Sequence, residues 1–398
     1  MDMCALNAGK RFHVALLVET SLASGRDILR GVASYVRTHE PWALYHEAHG
    51  LDDALPRWFH EWKGDGIIAR LQDPAILDGV ARMGIPTVDV LGLVPDSPFP
   101  LVHVDDIAIA RLAAEHLLER GFRRFGYFGI QGENWSERRR EAFAGRVGEA
   151  GCELSVCELP RMRRSGSSWE DIETTLTAWV RSLAKPCGIM VCSDQRGARL
   201  LEACRNAGVL VPDEVAVIGA DDDEPLCDVC NPPLSSVRPD HVQVGFEAAT
   251  LLGRMMRGET PATLSTLVTP RGVSTRLSSD VLAIEDRKIA SVLRVLRENE
   301  RGEIRVDDLA RMVGLSRSVL QRRFRVAMGR SIHQEVLRLR ILHAQTLLLE
   351  TELPLVEVAE RTGFRHQEYM GSVFKSRTGK TPGSFRREAL AKPHKTLA

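Results

Sequence analysis

The chain contains Asp308-Leu-Ala-Arg-Met-Val-Gly-Leu-Ser-Arg-Ser-Val-Leu-Gln-Arg-Arg-Phe324, and a looser copy follows as Glu357-Val-Ala-Glu-Arg-Thr-Gly-Phe-Arg-His-Gln-Glu-Tyr-Met-Gly-Ser-Val-Phe374. In each copy the apolar spacing predicts a short helix that ends at a glycine, Gly314 or Gly363, and a second helix that starts soon after it. Glycine readily adopts the left-handed turn that lets two helices cross steeply. The repeat therefore predicts two helix-turn-helix units, and two such units in one small domain indicate DNA binding.

Charge is divided unevenly along the chain. Of its 398 residues, the part from Asp286 onward carries 23 Lys and Arg residues against 13 Asp and Glu residues. Because the whole chain has 53 residues of each class, the preceding part is acidic by 10 charges and the C-terminal part is basic by 10. This asymmetry fits a nucleic-acid module joined to a part with another task.

Several classes of protein are disfavoured. No apolar run approaches the roughly 20 residues that a membrane helix needs, and the N-terminus lacks the apolar core of a signal peptide, so a cytoplasmic location is predicted. The eight cysteines are scattered, and Cys227 and Cys230 form the only close pair, with no second pair or His cluster to complete a zinc site. We therefore expect reduced thiols, no metal and no cofactor.

Residues 12–278 alternate strand-like apolar runs with helical stretches. Continuous Val, Ile and Leu runs indicate strands that are covered on both faces, and repeated βα order predicts an α/β fold with doubly wound parallel sheets. The roughly ten predicted strands exceed one small sheet, so we expect two lobes with crossovers near residues 100 and 235 and a ligand cleft between them. The predicted boundaries are 12–278 for the ligand domain, 279–286 for a linker and 287–388 for the DNA domain.

Acidic residues stand at the C-terminal ends of predicted strands, where such sheets bind ligands: Asp105, Asp106, Asp194 and the run Asp221 to Asp223. A carboxylate there accepts sugar hydroxyl groups, and a cluster of carboxylates can hold Mg²⁺. The alternative is N-capping of the following helix. For Asp105 and Asp106 we favour capping, whereas for Asp194 and Asp221 both readings stay open. Asp222 and Asp223 are expected to cap or to be exposed.

Several segments resemble the effector domain of LacI/GalR-type regulators, which has the fold of periplasmic sugar-binding proteins. They are Val102–Gly129, Arg139-Arg-Glu-Ala-Phe143, Val191-Cys-Ser-Asp-Gln195, Val217-Ile-Gly-Ala-Asp-Asp222 and Pro232-Pro-Leu-Ser-Ser-Val237. Ala142 replaces the usual glycine of the family. The resemblance implies that Arg139 and Asp221 bind sugar hydroxyl groups and that Ser193 and Asp194 line the cleft. It also implies that the first strand-to-helix turn, with Glu19 and Ser24, faces the ligand.

Residues 287–388 resemble the AraC-type DNA-binding domain over its full length. The match is carried by Gly363-Phe-Arg-His-Gln-Glu-Tyr369 and by Val373-Phe-Lys-Ser-Arg-Thr-Gly-Lys-Thr-Pro-Gly-Ser-Phe-Arg386. Two residues depart from the family pattern. Met370 stands where a second aromatic residue is usual, and Gly371 weakens a helix interior.

Helical periodicity predicts which side chains the two units present to DNA. Ser316 is placed to N-cap the first recognition helix, while Leu320 and Phe324 face the core. The side chains predicted to face DNA on the first helix are Ser316, Arg317, Ser318, Gln321 and Arg322, and those on the second are Arg365, His366, Gln367, Glu368, Ser372 and Lys375. Arginine pairs with guanine and glutamine with adenine in the major groove. Lys375, Arg377, Arg386 and Arg387 are expected to contact phosphate.

The order of the two domains resembles the xylose operon regulators of the XylR type over nearly the whole chain. This resemblance implies a sugar-responsive transcription factor, active as a homodimer, in which a pentose closes the cleft and reorients paired DNA modules that recruit RNA polymerase. One alternative is a repressor that its ligand releases. Another, in a different class, is an enzyme that uses Asp194 and Asp221 to Asp223 for Mg²⁺-assisted chemistry on a sugar.

Overall fold

The structure is a computed structural model that describes residues 11–48, 50, 55–94, 96–160, 169–281, 286–298 and 305–391. The chain divides into two compact units, Met1–Ala283 and Ile284–Ala398. Of the linker predicted at 279–286, residues 282–285 lie outside the described residues. Within the described ranges, every helix is too short or too polar to cross a membrane.

The first unit alternates strands and helices. In chain order its elements are β1 (His13–Leu17), α1 (Ala23–Thr38), β2 (Ala43–Tyr45), a 3₁₀ turn (Arg57–His60), β3 (Gly66–Ala69), α2 (Pro74–Ala81), β4 (Thr87–Asp89), β5 (Leu101–Val104), α3 (Asp106–Glu119), β6 (Arg124–Ile130), α4 (Asn134–Glu149), β7 (Glu153–Leu159), α5 (Trp169–Ser182), β8 (Cys187–Val191), α6 (Asp194–Ala207), β9 (Val215–Ala220), α7 (Glu224–Val229), β10 (Ser235–Arg238), α8 (His241–Met256), β11 (Ser265–Val268) and β12 (Gly272–Ser274).

These strands form two six-stranded sheets, one in each lobe. The first sheet has the order β11-β5-β4-β3-β1-β2, and the second has the order β12-β10-β9-β8-β6-β7. All pairings are parallel except that of β10 with β12. Every residue of β3, β8 and β9 is buried, as expected for strands covered by helices on both faces. The predicted α/β fold with two doubly wound lobes is confirmed.

The chain passes between the lobes three times. It leaves the first sheet after β5, returns after β10 and leaves it again between β11 and β12. Two of these crossovers lie near the expected residues 100 and 235, and the third was not predicted. Strand β5 still belongs to the first sheet, because it pairs in parallel with β4 and β11, so the first crossover comes after Val104.

Helices α1 and α8 pack so closely in the first lobe that only glycine fits at the contact. A Cβ added to Gly31 would lie 2.0 Å from the carbonyl oxygen of Val242, and one added to Gly245 would lie 2.0 Å from that of Ile28. These separations are far below van der Waals contact. The first turn of α8, with His241, is thereby fixed at the junction between the lobes.

The second unit is helical. Its elements are α9 (Arg287–Glu298), α10 (Val306–Met312), α11 (Arg317–Met328), α12 (Ile332–Glu350), α13 (Leu355–Arg361), α14 (Gln367–Thr378) and α15 (Pro382–Ala391). Helices α10 and α11 meet at Gly314, with φ +61°, and α13 and α14 meet at Gly363, with φ +76°. The two predicted helix-turn-helix units with left-handed glycine turns are confirmed.

One long helix serves both helix-turn-helix cores. Ile332 and Leu339 of α12 belong to the apolar cluster around Leu320 and Phe324, which also includes residues of α9 and α10. Farther along α12, Ile341, Ala344 and Leu348 pack in a second cluster with Met370 and Phe374. Shared burial along one helix fixes the two recognition helices relative to each other.

Candidate functional site

A cleft of about 410 Å³ lies within the first unit, between its two lobes. Such a volume suits a small organic ligand. The lining residues are Ser21, Leu22, Ala23, Ser24, Gly50, Arg70, Leu91, His103, Ile130, Trp135, Arg139, Ser193, Asp194, Gln195, Arg196, Arg199, Asp221, Asp223, Leu226 and His241. Of the six residues predicted to contact a ligand, five line the cleft and Glu19 does not.

Arg139 is a buried side chain of the cleft that several contacts hold in place. It projects from α4 and is 3% exposed. Its Nε donates to Asp106 Oδ1 at 2.8 Å, and its Nη1 donates to the carbonyl oxygen of Cys192 at 2.6 Å and lies 3.9 Å from Asp221 Oδ1. Its guanidinium also lies 5.0 Å from the ring centroid of Trp135. Burial alone would lower the pKa of Arg139, but Asp106 and Asp221 outweigh it and raise the pKa, so the side chain stays charged.

Asp105 and Asp106 have different roles, although the sequence favoured helix capping for both. Asp105 caps α3 by accepting a hydrogen bond from the Ala108 N–H at 2.9 Å, as predicted. Asp106 is buried and instead accepts from Arg139 and from both Nε and Nη2 of Arg138, at 3.0 and 2.8 Å. Burial tends to raise the pKa of Asp106, but Arg139 and its other neighbours outweigh burial and lower it. A buried carboxylate needs cations, and no local pattern reveals which ones will surround it.

Asp194 is buried at the start of α6 and lines the cleft beside Ser193. Its Oδ1 accepts from the Ser236 hydroxyl at 2.7 Å, and its Oδ2 accepts from the Asp223 N–H at 2.9 Å. Burial, with the nearby charge of Asp221, raises the pKa of Asp194 well above its usual value. Both carboxylate oxygens of Asp194 therefore form hydrogen bonds within the second lobe.

Asp221 keeps its carboxylate directed to the cleft. It follows β9 with φ +119°, a conformation that residues other than glycine rarely adopt. Its Oδ1 lies 3.8 Å from His241 Nε2 and 3.9 Å from Arg139 Nη1. The neighbouring Asp222 is neither a cap nor free in solvent, because it accepts from Arg276 at 2.8 Å and from Ser274 at 2.8 Å. Backbone strain at Asp221 is the kind that marks functional sites.

The first lobe contributes a side chain that the sequence reasoning missed, Arg70. It follows β3 directly, and its Nη1 donates to Glu19 Oε1 and, at 3.0 Å, to Ser24 Oγ. Glu19 is fully buried and lies behind Arg70, so it positions the arginine rather than lining the cleft. At the same turn, Arg26 Nη2 lies 3.8 Å from Asp223 Oδ1 of the second lobe. A charged residue at the end of a wholly buried strand was the available signal for Arg70.

Two histidines of the cleft were also missed. His103 lies on β5 and His241 begins α8, and each is 5% exposed. His103 Nδ1 lies 3.3 Å from the carbonyl oxygen of Val90, and its Nε2 has no hydrogen-bond partner among the described residues. Neither ring nitrogen of His241 has one there. A histidine inside an apolar strand was the signal for His103.

The cysteines do not form a site in the described part of the chain. Cys227 and Cys230 are free thiols, and burial raises the pKa of both. Among the described residues, no group of three or more His, Cys, Asp or Glu side chains is placed to hold a metal ion. Cys227 is the buried residue of the short helix α7, and Cys230 follows directly after that helix.

The first recognition helix, α11, presents the expected side chains. Ser316 is its N-cap and accepts from the Val319 N–H at 3.4 Å. Leu320 and Phe324 are fully buried. The exposed residues include all the predicted DNA contacts of this unit: Ser316, Arg317, Ser318, Gln321 and Arg322.

The second recognition helix, α14, has a less regular start. Pro354 is the N-cap of α13, and His366 precedes α14 without a side-chain cap. Met370 is fully buried where the family has an aromatic residue, and a Cβ added to Gly371 would meet no atom within 4 Å. The predicted DNA contacts of this unit are all exposed: Arg365, His366, Gln367, Glu368, Ser372 and Lys375.

Of the four residues expected to contact phosphate, Arg386 has a structural role. Its Nη2 donates to the carbonyl oxygen of Leu353 at 2.7 Å and its Nε to that of Leu348 at 3.4 Å. These carbonyls lie at and beyond the end of α12, where backbone acceptors lack helical partners. Lys375, Arg377 and Arg387 are exposed.

Comparisons with known proteins cover nearly the whole chain. Family models match a XylR N-terminal domain at residues 13–104, a periplasmic binding protein-like domain at 114–279 and a helix-turn-helix domain at 309–388. The xylose operon regulatory protein of Escherichia coli (strain K12) is 30% identical over 387 residues, which are 95% of this chain and 97% of that protein. The protein of the same name from Haemophilus influenzae is 28% identical over 385 residues, covering 94% and 98% of the two chains.

Comparison with solved structures agrees with these sequence matches. The structure of the xylose-binding transcription activator xylR superposes with a TM-score of 0.78 and 28% identity, covering 95% of this chain and 98% of that one. The transcriptional regulator CelR in complex with cellobiose covers 67% of this chain and 84% of its own, with a TM-score of 0.55 and 23% identity. The second likeness concerns the fold alone.

Proposed function

The chain belongs to the family of the xylose operon regulatory proteins, which are DNA-binding transcription regulators and not enzymes. From this premise we propose that a small neutral sugar binds in the interlobe cleft and controls how the second unit acts on DNA. The ligand is a pentose, with xylose the first to test. The enzyme alternative is set aside because the relatives along the whole chain are regulators.

The observation that carries the proposal is the position of Arg139. Its guanidinium is buried in the cleft wall and held between Asp106 and Asp221, with the indole of Trp135 beside it. A fixed guanidinium next to a partly exposed carboxylate offers a donor and an acceptor to vicinal hydroxyl groups. Arg139 and Asp221 are thus proposed as the main hydroxyl-binding pair, with Ser193, Asp194 and Ser24 beside them.

Xylose is favoured by two kinds of support. Relatives that span the whole chain are named for the xylose operon, and one solved relative is described as xylose-binding. The cleft, at about 410 Å³, accommodates a monosaccharide with water. Binding shifts the lobes only if the sugar prefers one arrangement of them, which is why a ligand that contacts both lobes is needed.

The second unit is proposed to read DNA through two successive major grooves. Arg322 and Gln321, which are exposed on α11, are proposed to contact base edges, and Lys375, which is exposed on α14, is proposed to contact phosphate. Because α12 packs in both helix-turn-helix cores, we expect the two recognition helices to enter major grooves that lie one helical turn apart.

The proposed output is activation. In this mechanism the chain acts as a homodimer, the bound sugar reorients its paired DNA units so that both reach their half-sites, and the bound complex recruits RNA polymerase. Support comes from the relative described as a transcription activator. Release of the operator on addition of the sugar would instead identify a repressor.

A thermal-shift screen of the full chain tests the ligand. D-xylose, D-ribose, L-arabinose, D-glucose and D-galactose are added at saturating concentration. A ligand at 100 times its Kd stabilises the native state by about 2.7 kcal/mol. We expect the unfolding midpoint to rise with D-xylose and to stay unchanged with the hexoses. No shift with any sugar would refute the proposal.

A further inference from the structure

Two buried histidines face the cleft with ring nitrogens that have no hydrogen-bond partner among the described residues: Nε2 of His103 and both nitrogens of His241. His103 lies on β5 just before the first crossover between the lobes, and His241 begins α8 just after the second. Both line the cleft and are about 95% buried. Because buried polar atoms in proteins nearly always have a hydrogen-bond partner, partnerless ring nitrogens in a cleft wall indicate contacts that a ligand completes.

The protonation state of His103 follows from its surroundings. Its Nδ1 lies 3.3 Å from the carbonyl oxygen of Val90, which can only accept, so the ring proton belongs on Nδ1. Burial lowers the pKa of His103 to about 4, so the ring is neutral at pH 7. Its Nε2 is then an acceptor without a proton.

Each histidine faces a carboxylate of the other lobe. His103 Nε2 lies 3.8 Å from Asp106 Oδ2, and His241 Nε2 lies 3.8 Å from Asp221 Oδ1. The histidines belong to elements of the first lobe, whereas Asp106 and Asp221 belong to the second. At His103 two hydrogen-bond acceptors, Nε2 and Asp106 Oδ2, thus face each other. Only a hydrogen-bond donor from a ligand can satisfy Nε2.

The chemistry of the missing partner is restricted. A hydroxyl group both donates and accepts, so it suits a wall where acceptors such as His103 Nε2 and Asp221 alternate with the donor Arg139. A carboxylate, or a phosphate group in its dianionic form, has no proton to donate, so such a group placed against His103 Nε2 would leave this nitrogen unsatisfied. The arrangement therefore favours a neutral polyhydroxyl ligand over a sugar acid or a sugar phosphate.

We propose that His103 and His241 determine the specificity of the cleft, with one sugar hydroxyl donating to His103 Nε2 and a second hydroxyl bound by His241. This inference rests on the proposed sugar-binding function, since it names the groups of the same ligand that the histidines recognise. A sugar held in this way touches both lobes at two crossovers, so its hydroxyl pattern decides which lobe arrangement is favoured.

The first test needs no variant. Calorimetry on the full wild-type chain measures the binding affinity for D-xylose. If D-xylose does not bind, the sugar that binds most tightly among D-ribose, L-arabinose, D-glucose and D-galactose takes its place. The monodeoxy and monofluoro derivatives of that sugar are then compared. At one position, loss of the hydroxyl weakens binding by about 10- to 100-fold, because a buried acceptor is left unpaired. Fluorine at that position weakens binding as much, since fluorine cannot donate.

The second test assigns that position to His103. His103→Asn keeps a donor near Nδ1 but places nothing at Nε2, so it loses about 10-fold or more in affinity and no longer distinguishes the sensitive deoxy sugar from its parent. His103→Gln, whose amide oxygen reaches the place of Nε2, retains the distinction. His241→Asn weakens binding and changes the preference at a different hydroxyl. His116→Asn is the matched control, because His116 is buried in the same unit, bonds Ser279 at 2.7 Å and does not line the cleft.

The outcomes separate this inference from the function on which it rests. If no sugar binds the wild-type chain, the sugar-binding function and the role of the histidines are both refuted. If a sugar binds His103→Asn and His241→Asn as tightly as wild type, the sugar-binding function stands and the role of the histidines is refuted. A fluoro derivative that binds like its parent at every position, or D-xylonate binding more tightly than D-xylose, also overturns the inference.

Discussion

The interlobe cleft and the two recognition helices use the same kinds of side chain in opposite surroundings. Arg139 and Asp106 are buried in the cleft wall and bonded to each other. Arg322 and Lys375 are exposed on α11 and α14, the two helices proposed to read DNA. Charges held in a low-dielectric wall interact strongly and are costly to separate, whereas exposed charges interact weakly and are screened by salt. Substitutions in the cleft should therefore affect both stability and binding, and those on the helices binding alone.

Arg139 gives the largest expected effect. Arg139→Met leaves the buried Asp106 with part of its compensating charge removed, which costs about 3–5 kcal/mol of stability and abolishes the response to sugar. Arg139→Lys keeps the charge but loses the planar guanidinium with its paired N–H donors. The variant should therefore fold, with sugar affinity reduced at least about 10-fold. Unfolding curves and sugar titrations of the full chain measure both effects.

Arg140→Met is the control for this prediction. Arg140 is the next residue of α4, is partly exposed and pairs with Glu158 at 2.8 Å, and it does not line the cleft. Its replacement should change stability by less than about 1 kcal/mol and leave sugar affinity unchanged. Equal sugar affinity in Arg139→Lys and Arg140→Met would contradict the role of Arg139.

Arg322 and Lys375 give a smaller effect, confined to DNA. Arg322→Ala should weaken operator binding by about 1–3 kcal/mol and relax the preference for one base pair. Lys375→Ala should weaken binding to all sequences alike and reduce the slope of log K against log salt by about 1. Titrations with operator and scrambled DNA at several salt concentrations distinguish these results. Uniform loss on every sequence for both variants would remove Arg322 from base recognition.

The last effect is confined to acid pH and concerns His116. Burial lowers the pKa of His116 from 6.5 to about 3. The unfolded chain takes up this proton first as the pH falls, so the folded state loses up to about 1.4 kcal/mol per pH unit from this group between pH 6.5 and 3. His116→Gln should therefore lessen the loss of stability of the first unit between pH 6.5 and 4.5.

The pH dependence of stability must be compared between the variant and wild type, because Asp194 changes stability with pH in the opposite direction. Its raised pKa means that the folded state holds a proton that the unfolded state has released, so acid stabilises the fold through this group. The difference between the two proteins isolates His116. Identical pH profiles for wild type and His116→Gln would show that this histidine is not kept neutral by burial.

The recognition helices were predictable from sequence because their geometry is local. Ser316 as a cap, Gly314 and Gly363 as turns, and Leu320 as a core residue all follow from spacing within one or two helical turns. Exposure of the predicted DNA-facing residues follows from the same periodicity. The role of Arg386 did not follow, because its partner Leu353 lies 33 residues away.

The cleft was predictable only in part. Strand order and the resemblance to a known family predicted that Arg139, Asp194 and Asp221 lie at the cleft, and all three line it. Asp106 was misassigned because the sequence around it looks like any helix start, while its partner Arg139 comes from 33 residues away. His103 and His241 were missed for a similar reason. Each is unremarkable within its own element, and only the pairing of β5 with β4 and the packing of α8 on α1 bring them to one cleft.

The central claim is that sugar bound in the cleft controls the DNA unit, and linkage provides its most direct test. Operator affinity of the full chain is measured at fixed salt with and without saturating sugar, and sugar affinity is measured with and without operator. We expect sugar to change operator affinity by at least about 10-fold and operator to change sugar affinity by the same factor, because coupling between two sites is reciprocal. Sugar that binds tightly while operator affinity stays the same would contradict it.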